Sequence, residues 1–211
     1  MDACRGGWVG VALLDGGFER AAVFKRFIEV LDWAGRAEAI GVDIPLGVDD
    51  TFPRAADVHA RRFVAPLAST VFLTPPRSVL EAPSHAEANG RMRELANQGV
   101  SRQAYGLSRR ILEAERWAGA NPHVVEVHPE VTFRELAGTR ITHSKHSWAG
   151  FFLRRNLLSS AGITIPEGLE RLPLVDVLDA AAAAWSADRY ARGQAQPIPS
   201  GHDARLGAIW R

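Results

Sequence analysis

An α/β fold, with a mixed sheet flanked by helices, is predicted by three features of this 211-residue chain. It opens with two short runs rich in Val, Phe and Ala on either side of Asp15-Gly16-Gly17, a strong hairpin signal. Ile40-Gly41-Val42-Asp43 and Val124-Val125-Glu126-Val127 are later apolar runs of strand length, each feeding a loop or a helix. Helical spacing fills most of the rest. The order hairpin, helix, strand, helices, strand, helices implies an antiparallel beginning followed by parallel strands.

Residues 8–14 and 18–24 are the hairpin strands. Residues 26–35 place Phe27, Val30, Leu31 and Ala34 at helical spacing, and residues 39–43 form a buried strand ending at Asp43, before Pro45-Leu46-Gly47. The middle is a helical insertion with helices over 54–63, 85–97 and 101–117, the last capped by Ser101. Residues 71–73, ahead of Thr74-Pro75-Pro76, read as a short extra strand. Residues 124–127 form a strand stopped at His128-Pro129, with Pro129 at the first position of the next helix. Helices over 147–160 and 175–192 complete the chain. Without a repeat, low-complexity tract or linker, 1–211 reads as a single domain. At this length folding buries roughly 70% of the unfolded chain's surface, enough for a core without disulfide or structural metal.

Composition excludes several classes. The chain is 46% hydrophobic and 23% charged, ordinary for a globular protein. Its longest uncharged apolar stretch, Ala180 to Trp185, is far below the ~20 residues of a membrane helix. One cysteine, Cys4, rules out an internal disulfide, and Met1-Asp2-Ala3-Cys4-Arg5 has no apolar export segment, so the expected location is cytoplasmic with no membrane partner. The 25 basic and 24 acidic residues leave a formal net charge of +1, which by itself nominates no polyanion. Only Lys25 and Lys145 are lysines, an arginine bias that reads as codon composition.

The carboxylates carry the chemistry. Asp2 lies at the end of a strand preceding the hairpin. Asp43 ends a strand, where functional groups gather in α/β sheets, although aspartate also opens ordinary loops. Asp176 and Asp179 are spaced i, i+3, with Cβ atoms ~5–6 Å apart at the border of an apolar helix face. Their alternative role is to favour the helix N-terminus. The alanines Ala180 to Ala184 let that helix approach a sheet closely. In Glu126-Val127-His128-Pro129-Glu130, Glu126 and His128 share a strand face. Glu130 falls in a first helical turn, where an acid is favoured for structural reasons, and His128 reads as a hydrogen-bonded strand-end histidine. His143 and His146 lie in a polar loop. Carboxylates from separated segments, without cysteine ligands, suit Mg²⁺ or Mn²⁺ rather than zinc.

Four stretches carry a resemblance: Asp-Ala-Cys-Arg-Gly-Gly-Trp at 2–8, Gly-Val-Asp-Ile-Pro-Leu-Gly at 41–47, Glu-Val-His-Pro-Glu at 126–130 and Asp-Val-Leu-Asp-Ala at 176–180. With Gln103, Glu113 and Ser144-Lys145 among the intermediate marks, they resemble the bacterial predicted nucleases grouped as domain of unknown function 429, over essentially the whole chain. The resemblance implies a ribonuclease H-like fold and a two-metal nuclease. The junction-resolvase branch of that superfamily carries an acid on the first strand, one at the end of the fourth and an Asp-x-x-Asp on the last helix. Asp2, Asp43, Asp176 and Asp179 match those roles as metal ligands, with Asp176 or Asp179 ordering the attacking water. Glu126 and Glu130 have no counterpart there; Glu126 is expected to face the metals and Glu130 to support them.

In relatives the first aspartate follows several strand residues, whereas here only Met1 precedes Asp2. The expectation is a chain that starts late and an Asp2 that is poorly held. Among basic residues, Lys145 is placed either against a phosphate or in solvent. Arg61 and Arg154 are substrate-binding candidates, while Arg54, Asp57 and Arg61 share a helix face suited to mutual pairing.

The leading expectation is therefore a Mg²⁺- or Mn²⁺-dependent hydrolase of phosphodiester bonds in DNA or RNA, with Asp2, Asp43, Glu126, Asp176 and Asp179 catalytic. A non-catalytic binding or regulatory protein with the same fold is the alternative. An actin-like ATP-using enzyme is a third reading, disfavoured by the lack of a glycine-rich phosphate loop after a strand. If about six acids converge on metal, the remaining surface is more basic than +1 suggests. The expected picture is an acidic pit at Asp2, Asp43, Asp176 and Asp179 with arginines on its rim.

Overall fold

Three antiparallel strands, β1 (Asp2–Cys4), β2 (Gly7–Leu14) and β3 (Gly17–Phe24), form one sheet in the order β1-β2-β3. The computed structural model describes residues 1–4, 6–169, 172–201 and 205–211. A parallel pair, β4 (Ile40–Val42) and β5 (Val124–Glu126), continues from β1. The joint is a single parallel bridge between Asp2 and Asp43, where the Asp43 N–H donates to the Met1 carbonyl at 2.9 Å. The strands thus lie in the order β3-β2-β1-β4-β5. A small antiparallel pair, β6 (Pro197–Ile198) and β7 (Ile209–Trp210), stands apart.

The hairpin turn follows from its residues. Asp15 (φ 50°) and Gly16 (φ 81°) both adopt positive φ, the conformation that matches the twist of the flanking strands, and Leu14 is set opposite Gly17.

The helices are α1 (Phe27–Ala34), α2 (Ala55–Phe63), α3 (Arg77–Leu80), α4 (His85–Ala96), α5 (Arg102–Gly106), α6 (Ser108–Ala120), α7 (Pro129–Ala137), α8 (Trp148–Ser160) and α9 (Leu174–Ala191). Pro129 occupies the start of α7, and Ser84, Ser101 and Ser147 cap α4, α5 and α8 through their hydroxyls.

Three local expectations change. The helix expected over 101–117 is broken: Ser101 caps α5, but at Leu107 the N–H bonds three residues back to Ala104 rather than four, beside the poor helix former Gly106. Residues 71–73 find no strand partner among the described residues; the N–H of Thr74 is instead taken by Asp57 Oδ2 at 2.6 Å. Asp2, expected to be poorly held, is buried at 7% exposure in a three-residue strand hydrogen-bonded on both sides.

Side chains alternate between two apolar layers. Trp8, Ile40, Val42 and Val124 meet Phe27 and Val30 of α1 and Ile111, Ala114 and Ala118 of α6. Trp8 and Phe27 pack edge to face at 5.2 Å, and burying each such ring stabilises the fold by about 1.5–3 kcal/mol. Cys4, Val9 and Val11 meet Phe133 of α7, Leu158 of α8 and Val177 to Ala182 of α9. Among the described residues no helix is long and apolar enough to cross a membrane.

Candidate functional site

Strand parity decides which carboxylates meet. Asp2 is paired with Val9, which faces the α9 layer, and directly paired residues share a face. Asp43 follows Val42, which faces the opposite layer, so its side chain also points toward α9. Helix α9 comes unusually close because Ala180 to Ala183 are fully buried and β4 offers Gly41. A Cβ on Gly41 would lie 2.3 Å from the Ala183 carbonyl oxygen. Asp179, fully buried on the same helix, is thereby brought to Asp2 and Asp43, with half-buried Asp176 one turn away.

Each of these acids feels its neighbours. Burial, then the charges of Asp43 and Asp179, push the Asp2 carboxyl well above its ordinary value. Burial raises Asp179 to about 6 even with a lysine beside it, and burial also raises Asp176. That lysine is Lys145, ion-paired with Asp179 Oδ2. Burial works against its ammonium, but Asp179, Asp43 and Asp2 outweigh it and hold Lys145 above the usual range. Among the described residues Asp179 Oδ1 is buried without a hydrogen-bond partner, and the Asp2 and Asp43 carboxylates accept no hydrogen bond.

The loop that delivers Lys145 is tied to α8. The Ser144 carbonyl accepts from the Ser147 N–H at 2.9 Å and the Ser147 hydroxyl at 2.7 Å. Gly150 packs against the same carbonyl so closely that a Cβ would fall 1.9 Å from it. Arg154 donates to the carbonyls of His143 at 3.1 Å and Gly150 at 2.9 Å, and to Glu130 Oε2 at 2.6 Å.

These bonds revise several expected roles. Glu130 and Arg154 form a buried ion pair; with 0% of its surface exposed, Arg154 holds a loop and is closed to substrate. Glu130 therefore bears on the site through that loop and through its charge, which adds to the repulsion at Asp179, and among the described residues its Oε1 is buried without a hydrogen-bond partner. Glu126 is paired in register with Val42 and so points away from α9. Its oxygens accept from Arg54 at 2.5 and 2.7 Å and from the Leu46 N–H at 2.6 Å, which occupies the lone pairs a metal would need. Arg54 also binds Asp57 at 2.5 Å, and the two carboxylates outweigh burial to keep the guanidinium firmly charged. Arg61 is half-buried and, among the described residues, joins no ion pair. His128 caps α7, its Nδ1 accepting from the Glu130 N–H at 3.2 Å. Arg54 as the partner of Glu126 has no local signature, since 72 positions separate them.

Asp2 and Asp43 open onto a cavity of about 230 Å³ whose walls include Arg54, Asp57, Gln103 and His128. Among the described residues Lys145 is the one side-chain cation ion-paired with these acids, the Met1 ammonium feels the charges of Asp2 and Asp43, and Arg54 supplies an arginine in the cavity wall, so no ring of described arginines surrounds the pit. The donor set of Asp2, Asp43, Asp176 and Asp179 is all hard oxygen, and the orphaned Asp179 Oδ1 suits a cation of the Mg²⁺ or Mn²⁺ class. The acids are not drawn into a ready-made shell: among the described residues no three His, Cys, Asp or Glu form a metal-binding group.

A family model described as "Protein of unknown function (DUF429)" matches residues 1–204. Comparison with curated proteins and with solved structures returns no match.

Proposed function

The chain belongs to that family, and we propose that it is a metal-dependent phosphodiesterase of ribonuclease H-like fold that acts on nucleic acid. The observation that carries this reading is the convergence of Asp2, Asp43 and Asp179 from β1, the end of β4 and α9, with Asp176 alongside, in a place where burial and the neighbouring carboxylates raise Asp2 and Asp179 and burial raises Asp176. Several carboxylates gathered around one lysine are costly to bury, and structural need alone gives no reason to gather them. First strand, end of a central strand and last long helix are also the positions that the resemblance assigns to metal ligands.

Bound Mg²⁺ or Mn²⁺ would activate a water and offset charge on the phosphodiester. Asp2, Asp43 and Asp179 would hold the ion. Asp176, less buried, lies where it can orient a water from the solvent side. Lys145 neutralises Asp179 without metal and is the side chain nearest at hand for a phosphate oxygen. Arg54 fixes Glu126 and Asp57, keeping both out of the ligand set.

One observation favours a non-catalytic binding protein: a cation, Lys145, already sits on Asp179. Calorimetry with Mn²⁺ on wild type and Asp43→Asn separates the readings, together with a cleavage panel of labelled DNA and RNA structures. Metal-dependent cleavage lost in Asp43→Asn is the expected result. Wild type that binds no divalent ion at millimolar concentration overturns it.

A further inference from the structure

We propose that the loop before α8 and the first turn of that helix form a docking surface for single-stranded nucleic acid, with one base stacked on Trp148. This rests on the phosphodiesterase reading and names its substrate class. Trp148 is 80% exposed at the first position of α8, and behind it Phe152 packs at 4.5 Å, holding the indole in place. It follows Lys145 by three residues, a span of at most ~11 Å, shortened by the Ser144 to Ser147 turn. A strand that reaches Lys145 is therefore within reach of the indole. Ser147 capping, Gly150 packing and the Arg154 bonds to His143 and Gly150 make loop and helix one unit.

Charge complementarity points to a polyanion. Between Glu135 and Glu167 the chain holds no acidic residue but carries Arg140, His143, Lys145, His146, Arg154 and Arg155. Arg154 is spent on Glu130; Arg140, His143 and His146 are exposed. A net charge near zero hides this segment, because the acids lie elsewhere. The loop also borders the catalytic acids, since Lys145 pairs with Asp179 and His146 acts electrostatically on Asp176. Phosphates bind the cationic loop while a base covers the ring. In a duplex both faces of each base are already stacked, so an aromatic platform selects unpaired nucleotides.

The test is fluorescence anisotropy in Ca²⁺, using a short fluorescein-labelled thymidine oligomer and a duplex of the same length, with wild type, Trp148→Ala and Trp148→Phe. Loss of one base stack weakens single-strand binding by about tenfold or more in Trp148→Ala, with duplex binding changed far less and Trp148→Phe close to wild type. Thermal melting of both variants should match wild type, because the ring is exposed. If wild type binds both probes and Trp148→Ala binds them equally well, this proposal falls and the phosphodiesterase reading stands. If wild type binds neither probe, both fall. If Trp148→Ala instead dissociates a wild-type dimer in light scattering and leaves oligomer affinity intact, the surface is a protein interface and the proposal is overturned.

Discussion

Replacing Asp179 by Asn should stabilise the metal-free protein at neutral pH. Asp179 titrates at about 6 rather than 3.8 because it is fully buried, even with Lys145 opposite. The raised value means that the folded state holds this proton more tightly than the unfolded chain does. The stability it contributes is complete below pH ~4 and is lost as pH rises through about 6. Moving the carboxyl from 3.8 to about 6 corresponds to ~3 kcal/mol. Asparagine removes the titration, so in chelator the variant should exceed wild type by ~2–3 kcal/mol at pH 7, a melting temperature roughly 4–12 °C higher. Near pH 4 the two should coincide. Urea unfolding of both proteins from pH 4 to 8 gives the difference curve. Mn²⁺ at about 1,000 times its Kd should then reverse the order at pH 7, since it adds about 4.1 kcal/mol to the protein that binds it. A variant less stable than wild type in chelator at pH 7, or a difference independent of pH, would refute the reasoning.

Three further outcomes follow from the same contacts. Arg54→Ala leaves Glu126 and Asp57 buried without their counter-charge and should cost about 3–5 kcal/mol in urea unfolding; a loss below ~1 kcal/mol would mean that the two acids find other partners. Gly41→Ala forces a methyl against the Ala183 carbonyl, and should cost about 1–3 kcal/mol or more while weakening Mn²⁺ binding, because β4 and α9 must separate. Lys145→Met removes the cation that competes for Asp179. Mn²⁺ affinity measured by calorimetry should rise, and a fall would show that Lys145 assists the ion rather than substituting for it.

Much of the scaffold is legible in local chemistry. Asp15-Gly16 supplies the two positive-φ residues of the hairpin, and Pro129 marks the start of α7, because both signals act within a few residues. Asp2, Asp43, Asp176 and Asp179 are singled out in the sequence by element ends and helical spacing, and the fold brings them to one face. What escapes is set by distant partners. The direction of Glu126 depends on its register with Val42 across two strands, and the fate of Lys145 on an aspartate 34 positions away. Arg154 did have a local signature. Gly150, Arg154 and Leu158 repeat at i, i+4 and form the inward stripe of α8, which the Arg-Arg doublet at 154–155 obscures.

The bridge between Asp2 and Asp43 has a temporal side. Both residues leave the ribosome early, and the N-terminal part of a chain is made first, at about 5–20 residues per second. Asp179 and the alanine face that covers Gly41 come from α9, far along the sequence. Until α9 docks, two carboxylates sit side by side with no third donor opposite them, and the pit has no wall on that side. Any chemistry the acids perform is thus withheld from the nascent chain and begins only when this late helix closes over the sheet. The same helix carries the buried face from Val177 to Ala183 that packs on the sheet, so completing the acid cluster and completing that layer of the core are one event.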